Sequence, residues 1–264
     1  MLAFSSRKTS LVVDDCRIET QKYDLDLARR FEPTIIVDCA FVTRDKVKQF
    51  GLNSFLETNR YLISAAKNMA SMETVRKFIA ISSGAAKPYL NRAIRSFSED
   101  PYGKLKAEYE IVLAQEEREI AQKVVISRPF SLSGRFVRNR SIYAIFDFID
   151  QAKKANSIVL KSKNLVYRRY SDAEEFLALS LALEPGGEAL ESGGELIELG
   201  ELAKLVAEQL NLSSSIERYT IQEPPDMYFS EESSMVLACK ELNFRPSTLE
   251  EQILLSANHS ATES

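Results

Sequence analysis

The stretch Phe78-Ile79-Ala80-Ile81-Ser82-Ser83-Gly84, followed after a loop by Pro101-Tyr102-Gly103-Lys104-Leu105-Lys106, decides how this chain is read. Its first half is a continuous apolar run ending in two hydroxyls. A buried strand of a parallel sheet delivers side chains to a ligand at its carboxyl end in this way. The second half places a tyrosine four residues before a lysine, and on a helix those positions share a face. A cation one turn from a phenol favours the phenolate, moving Tyr102 from its usual value near pH ~10 toward a range where it exchanges protons. Ser83 would then hold the oxygen whose proton moves. In a chain with ten tyrosines the spacing also arises by chance, as a plain helix-surface pair, so the surrounding sequence has to decide.

Upstream, Leu11-Val12-Val13 is a short strand candidate and residues 34–40 a stronger one, β-branched and introduced by Pro33. Helical spacing is carried by Leu25, Leu27, Ala28 and Phe31 across 23–31, and by Phe55, Leu62, Ala66 and Met69 across 53–72. Downstream, 102–121 reads as one helix with Leu105, Tyr109, Val112 and Leu113 inward, and 123–128 as a strand ended by Pro129. Apolar strands alternating with helices predict an α/β fold whose parallel sheet is covered on both faces. The carboxyl half is less regular. Helices are expected over 142–152, 172–183 and 201–210, and strands over 157–161, 195–199 and 216–221. Ser247 and Glu250, after Pro246, read as a capping box that opens a last helix.

A chain of 264 residues can bury one sizeable domain, or a main domain with a smaller appendage. A net charge of −4 offers no basic footprint and argues against a nucleic-acid partner. No apolar run approaches the ~18 residues that span a membrane, and the first residues lack the apolar centre of a signal peptide. The reading is a cytoplasmic protein with no membrane partner. Cys16, Cys39 and Cys239 fit neither a disulfide framework nor a zinc pattern, and read as buried reduced thiols. His259, the single histidine, lies in a polar tail, a poor place for a general base. Histidine-dependent hydrolases and histidine-ligated zinc enzymes are thereby set aside, and no metal is expected. Proton chemistry falls to Tyr, Lys, Asp or Glu.

Taken in register from about Pro33 to Ser256, these segments resemble the extended short-chain dehydrogenase/reductase superfamily, the NAD-dependent epimerases and dehydratases of nucleotide-linked sugars. Residues 33–40 resemble the fourth strand of that family, whose end at Ala40 passes under the nicotinamide. Asn59 stands where the family has an asparagine in its fourth helix. The resemblance implies Ser83, Tyr102 and Lys106 as catalytic residues, with Ser82, Tyr102, Lys106 and Pro129 also near the cofactor, NAD or NADP. Ile126-Ser127-Arg128-Pro129-Phe130 with Gly134 is similar to the strand and turn that meet the nicotinamide amide. Arg168-Arg169-Tyr170, with Glu174-Glu175 after it, resembles the segment whose arginine contacts the substrate diphosphate, which makes Ser83 and Arg168 substrate ligands; an ordinary surface arginine pair is the alternative. The implied architecture is a Rossmann-like doubly wound parallel sheet with a small carboxyl-terminal α+β lid. Its nucleotide-binding core covers 1–135, with 165–183 returning to it, and 136–264 is mainly lid. A homodimer paired through the tyrosine helix is implied as well.

One departure stands out. The family opens with a strand, a glycine-rich turn and a helix that hold the pyrophosphate, whereas the first glycine here is Gly51. Residues 1–4 then sit near the family's second strand. Arg7 and Lys8 after it either read a 2′-phosphate, favouring NADP, or are a solvated turn. Without the usual central strand, the expectation is either a shortened chain with exposed edges and apolar surface or a sheet closed up without it. Two functions remain in play: an NAD(P)-dependent epimerase, dehydratase or reductase acting on a nucleotide sugar, or a catalytically silent relative acting as a binding or interaction protein. A reductase of a small carbonyl compound is a third.

Overall fold

The structure, a computed structural model, describes residues 1–6, 9–13, 16–90, 100–137, 140–155, 157–221, 223–230 and 234–258. Arg7, Lys8 and His259 lie outside the described residues. The chain divides into two compact units, the first Met1–Ile126 with Glu184–Glu188, the second Ser127–Leu183 with Ala189–Ser264.

The first unit opens with β1 (Ala3–Phe4), β2 (Thr9–Val13) and β3 (Cys16–Gln21), a three-stranded sheet in the order β1-β3-β2. β1 lies parallel to β3, and β2 and β3 pair antiparallel. Helix α1 (Leu25–Phe31) starts where Asp24 accepts the Leu27 N–H at 2.9 Å, and stops at Glu32, whose φ of 51° is left-handed, just before Pro33. β4 (Ile35–Asp38) follows, then the short α2 (Val47–Phe50), α3 (Leu52–Ala70) and β5 (Lys77–Ile81). After a 3-10 turn at Gly84–Ala86 come α4 (Lys87–Leu90), α5 (Pro101–Ala114), α6 (Arg118–Ala121) and β6 (Val124–Arg128). The helix expected over 102–121 is thus broken at 115–117, where Glu116 and Glu117 turn to the Lys67 ammonium at 3.1 and 2.8 Å.

β4 pairs in parallel with β5, Ile35 opposite Lys77 and Asp38 opposite Ala80, and β5 is hydrogen-bonded to β6 on its other side. Phe78, Ile79 and Ala80 of β5 are wholly buried. β4 ends the strand order and is not covered as expected: Ile35 is 53% and Val37 40% exposed. Cys39, which continues the same alternation, is exposed too, which corrects the expectation of a buried thiol, while Cys239 is buried. The core of this unit is built by Phe55 from α3, Phe78 and Ile79 from β5, and Leu105, Tyr109 and Leu113 from α5.

The second unit takes up the chain within β6 and continues with β7 (Ser131–Ser133), α7 (Ala144–Lys154), β8 (Ser157–Leu160) and β9 (Asn164–Asp172). α8 (Ala173–Ala182), β10 (Leu190–Glu191), β11 (Leu196–Glu198), α9 (Leu199–Gln209) and β12 (Ser215–Arg218) come next. β13 (Glu223–Met227), α10 (Ser234–Glu241) and α11 (Leu249–Ala257) complete it. β10 runs parallel to the last two residues of β6, Leu190 opposite Ser127. A second sheet has the order β11-β9-β13, with β7 also on β9, and β12 pairs with β8. β13 contains Pro224 and Pro225, tolerable because it is an edge. Ile145, Ile149, Ile158, Leu202, Val206 and Ile253 form the core. The capping box of α11 is Thr248 with Glu251, one residue beyond the expected Ser247 and Glu250. Ser247 is engaged elsewhere, its N–H donating to Glu175 Oε1 at 3.0 Å and its hydroxyl bonding the same carboxylate.

Candidate active site

The carboxyl end of β5 and the first turns of α5 are held together by backbone contact. Asp100 caps α5 by accepting the Gly103 N–H at 3.1 Å, and Pro101 occupies the first turn, where its missing N–H costs nothing. A side chain at Gly103 would collide with the Ala85 carbonyl oxygen and with the Asp100 carboxylate. Only glycine lets the tyrosine helix come this close to the turn that Ser83 opens. Ser83, 7% exposed, caps that turn by accepting the Ala85 N–H at 3.2 Å. Ser82 donates to Glu110 Oε1, and both residues are buried. Of the two serines, Ser82 is therefore tied to a carboxylate two turns beyond Tyr102.

Lys106 is 4% exposed, and its ammonium donates to the Ile81 carbonyl at 2.7 Å. The same Nζ stands 3.9 Å from the centre of the Phe41 ring and 5.2 Å from that of Tyr109. Burial pushes its pKa down to about 8, opposed by the nearby Asp38 carboxylate. Asp38, at the end of β4, accepts the Tyr109 hydroxyl at 2.7 Å and the Ala40 N–H at 3.0 Å. Burial raises the Asp38 pKa against these two bonds, and burial, with the Asp38 charge, raises that of Tyr109 well above the usual phenol value. Tyr109 is accordingly a fixed donor and not an acid–base group.

Tyr102 is half-buried, its ring edge-on to Phe41 at 5.7 Å between centroids. The Arg44 guanidinium lies 5.6 Å from the centre of the Tyr102 ring and pairs with Asp100 at 2.9 Å. Phe41 thus touches Tyr102, Lys106 and Tyr109 at once, the last at 6.2 Å between ring centres. Its neighbours in the chain are pinned, Ala40 by Asp38, and Val42 by the buried Asn59 side chain, which accepts the Val42 N–H at 2.8 Å and donates to its carbonyl at 3.2 Å. Sequence reasoning singles out Ser82, Ser83, Tyr102, Lys106 and Ala40 as candidates, and gives no site role to Asp38, Phe41, Tyr109 and Glu110, which the structure packs around Lys106 and Ser82. A signal existed: an acid closing the apolar run Ile35-Ile36-Val37, and a tyrosine and a glutamate three and four residues after the lysine.

Pro129 and Arg168 belong to the second unit. Pro129, half-buried, follows β6, and the next N–H, of Phe130, donates to Ser192 Oγ at 2.8 Å. Arg168 on β9 pairs with Asp226 at 2.7 Å and lies 5.5 Å from the Tyr228 ring centre, while Arg169 donates to the Gly194 carbonyl at 2.7 Å. Among the described residues there is no group of three His, Cys, Asp or Glu placed to hold a metal, and no helix long and apolar enough to cross a membrane.

No protein-family model and no curated protein matches the sequence. Solved structures do. UDP-glucuronic acid 4-epimerase from Bacillus cereus, in complex with NAD, aligns at a TM-score of 0.65 and 16% identity, over 91% of this chain and 79% of that one. UDP-glucose 4-epimerase from Brucella ovis, also with NAD, gives 0.66 and 16%, over 90% and 83%. dTDP-4-dehydrorhamnose reductase from Bacillus anthracis, with NADP, gives 0.57 and 15%, over 89% and 87%. The fold is the Rossmann-like α/β fold that these epimerase and reductase structures share. Within this fold, Gly51 sits between α2 and α3 with a φ of 77°, away from any described strand-to-helix turn. β4 is the edge of its sheet among the described residues.

Proposed function

We propose that the chain is an NAD(P)-dependent epimerase, dehydratase or reductase of a nucleotide-linked sugar, with Tyr102 as its acid–base group. The observation that carries this reading is the glycine-tight seat of α5 on the Ser83 turn, with the buried Lys106 one turn further along the helix. The donor set of the first unit suits a nicotinamide dinucleotide: Lys106 would hold its ribose hydroxyls, with Ala40 beside the nicotinamide. When bound, that group supplies the acceptor or donor of hydride. Tyr102 takes the proton of the sugar hydroxyl, Ser83 orients the oxygen it leaves, and the Lys106 charge favours the phenolate.

Tyr102→Phe is expected to lower kcat by about 10²- to 10⁴-fold on a nucleotide sugar, with the melting temperature unchanged. Undiminished turnover would remove Tyr102 from the chemistry. The second reading, a silent relative that binds without turning over, is favoured by one observation: the Phe41 ring covers the amine that would hold the ribose. Melting curves with NADH and NADPH separate the two readings, because a ligand of the native state raises its stability. A concentration-dependent rise with either nucleotide supports the enzyme, and none with both supports the silent relative.

A further inference from the structure

We infer that Phe41 is a movable cover on the Lys106 amine, and that a dinucleotide reaches this amine only when the phenyl ring swings aside. The inference rests on the reading of Lys106 as a ribose ligand. An ammonium has three donors, and the Ile81 carbonyl takes one at 2.7 Å. The Phe41 ring, 3.9 Å from Nζ, lies over the amine where an entering hydroxyl would accept a hydrogen bond. Tyr109 stands on a further side at 5.2 Å, with its own hydroxyl committed to Asp38. These groups leave Lys106 4% exposed, although Phe41 itself is only half-buried.

What can move follows from what is fixed. Ala40 is held by Asp38, and Val42 by both polar atoms of the Asn59 amide, so the backbone on either side of Phe41 is anchored. Rotation about the side-chain bonds of Phe41 uncovers the amine without displacing the loop, a change of rotamer and not of fold. The ring loses its cation contact and its edge-on contact with Tyr102 in doing so, and the incoming hydroxyls replace them.

Chemical labelling reads the cover directly. At pH 8, acetic anhydride followed by peptide mass analysis is expected to leave Lys106 protected in the native protein. In Phe41→Ala the amine is expected to be acylated at least about tenfold faster, with Phe41→Val between the two should the alanine variant fold poorly. In parallel, NADH and NADPH titrations by fluorescence are expected to show at least tenfold tighter binding of one nucleotide to Phe41→Ala than to the native protein. Equal labelling in native and variant chains overturns the cover, as does faster labelling with dinucleotide binding no tighter than that of a native protein that binds. Faster labelling with no dinucleotide bound by either chain upholds the cover over the amine and overturns the proposed function.

Discussion

β4 and β5 are neighbouring parallel strands that each carry an apolar run, and the fold treats them differently. Ile35-Ile36-Val37 and Phe78-Ile79-Ala80 are each three apolar residues in a row, yet the second is wholly buried while the first leaves Ile35 53% and Val37 40% exposed. The difference is one of neighbours: β5 is flanked by β4 and β6, whereas β4 has β5 alone among the described strands. An apolar run reports that a residue tolerates burial. It does not report whether the sheet supplies a partner on both sides.

Phe78→Ala should give the largest effect, a loss of about 3–5 kcal/mol in denaturant unfolding, because the side chain is wholly buried and leaves a cavity. Ile35→Thr, on the exposed strand, should give a much smaller one, under about 1 kcal/mol. A large loss from Ile35→Thr would break the comparison, by showing that the β4 face is covered in solution.

Between these lies the lysine that joins the two strand ends, bonded to Ile81, the last residue of β5, and facing Asp38 of β4. Its folded-state pKa of about 8 lies below the ordinary 10.5, so the unfolded chain binds the extra proton between these values. Stability therefore rises with pH across that window, by up to about 3 kcal/mol relative to Lys106→Met, which lacks the group. Parallel pH curves for native protein and Lys106→Met would remove the buried amine from the account. Gly103→Ala comes next, at about 1–3 kcal/mol, since its Cβ would meet the Ala85 backbone, which cannot give as a side-chain tip can. Gly187→Ala, with the Glu184 carbonyl oxygen at 4.0 Å its nearest neighbour, is the control expected to be nearly neutral.

The parts legible in sequence were those whose signal is local. The run from Phe78 to Gly84, the tyrosine and lysine of α5 and the major helices could be read from short windows. β3 was missed because Arg17 and Glu19 make one face polar, and β13 because Pro224 and Pro225 argue against a strand unless it is known to be an edge. β9 hid behind its two adjacent arginines, whose charges are taken up by Asp226 and by the Gly194 carbonyl. The surroundings of Lys106 were illegible for a different reason. Asp38 meets Tyr109 across 71 positions of chain, and Phe41 meets Lys106 across the same sheet-to-helix gap, so no short window contains both partners. The cap of α11 failed through degeneracy, since Ser247 with Glu250 and Thr248 with Glu251 fit the same template.

The chain leaves its first unit inside β6 and later returns to it for five residues, Glu184–Glu188, where the Gly186 N–H donates to the Val124 carbonyl at 2.9 Å. No single scission can release either half intact: a cut after Ile126 divides a strand and also strips the amino-terminal part of a staple encoded some sixty residues later. Dissection into separately expressed fragments would thus need at least two cuts and a rejoined end.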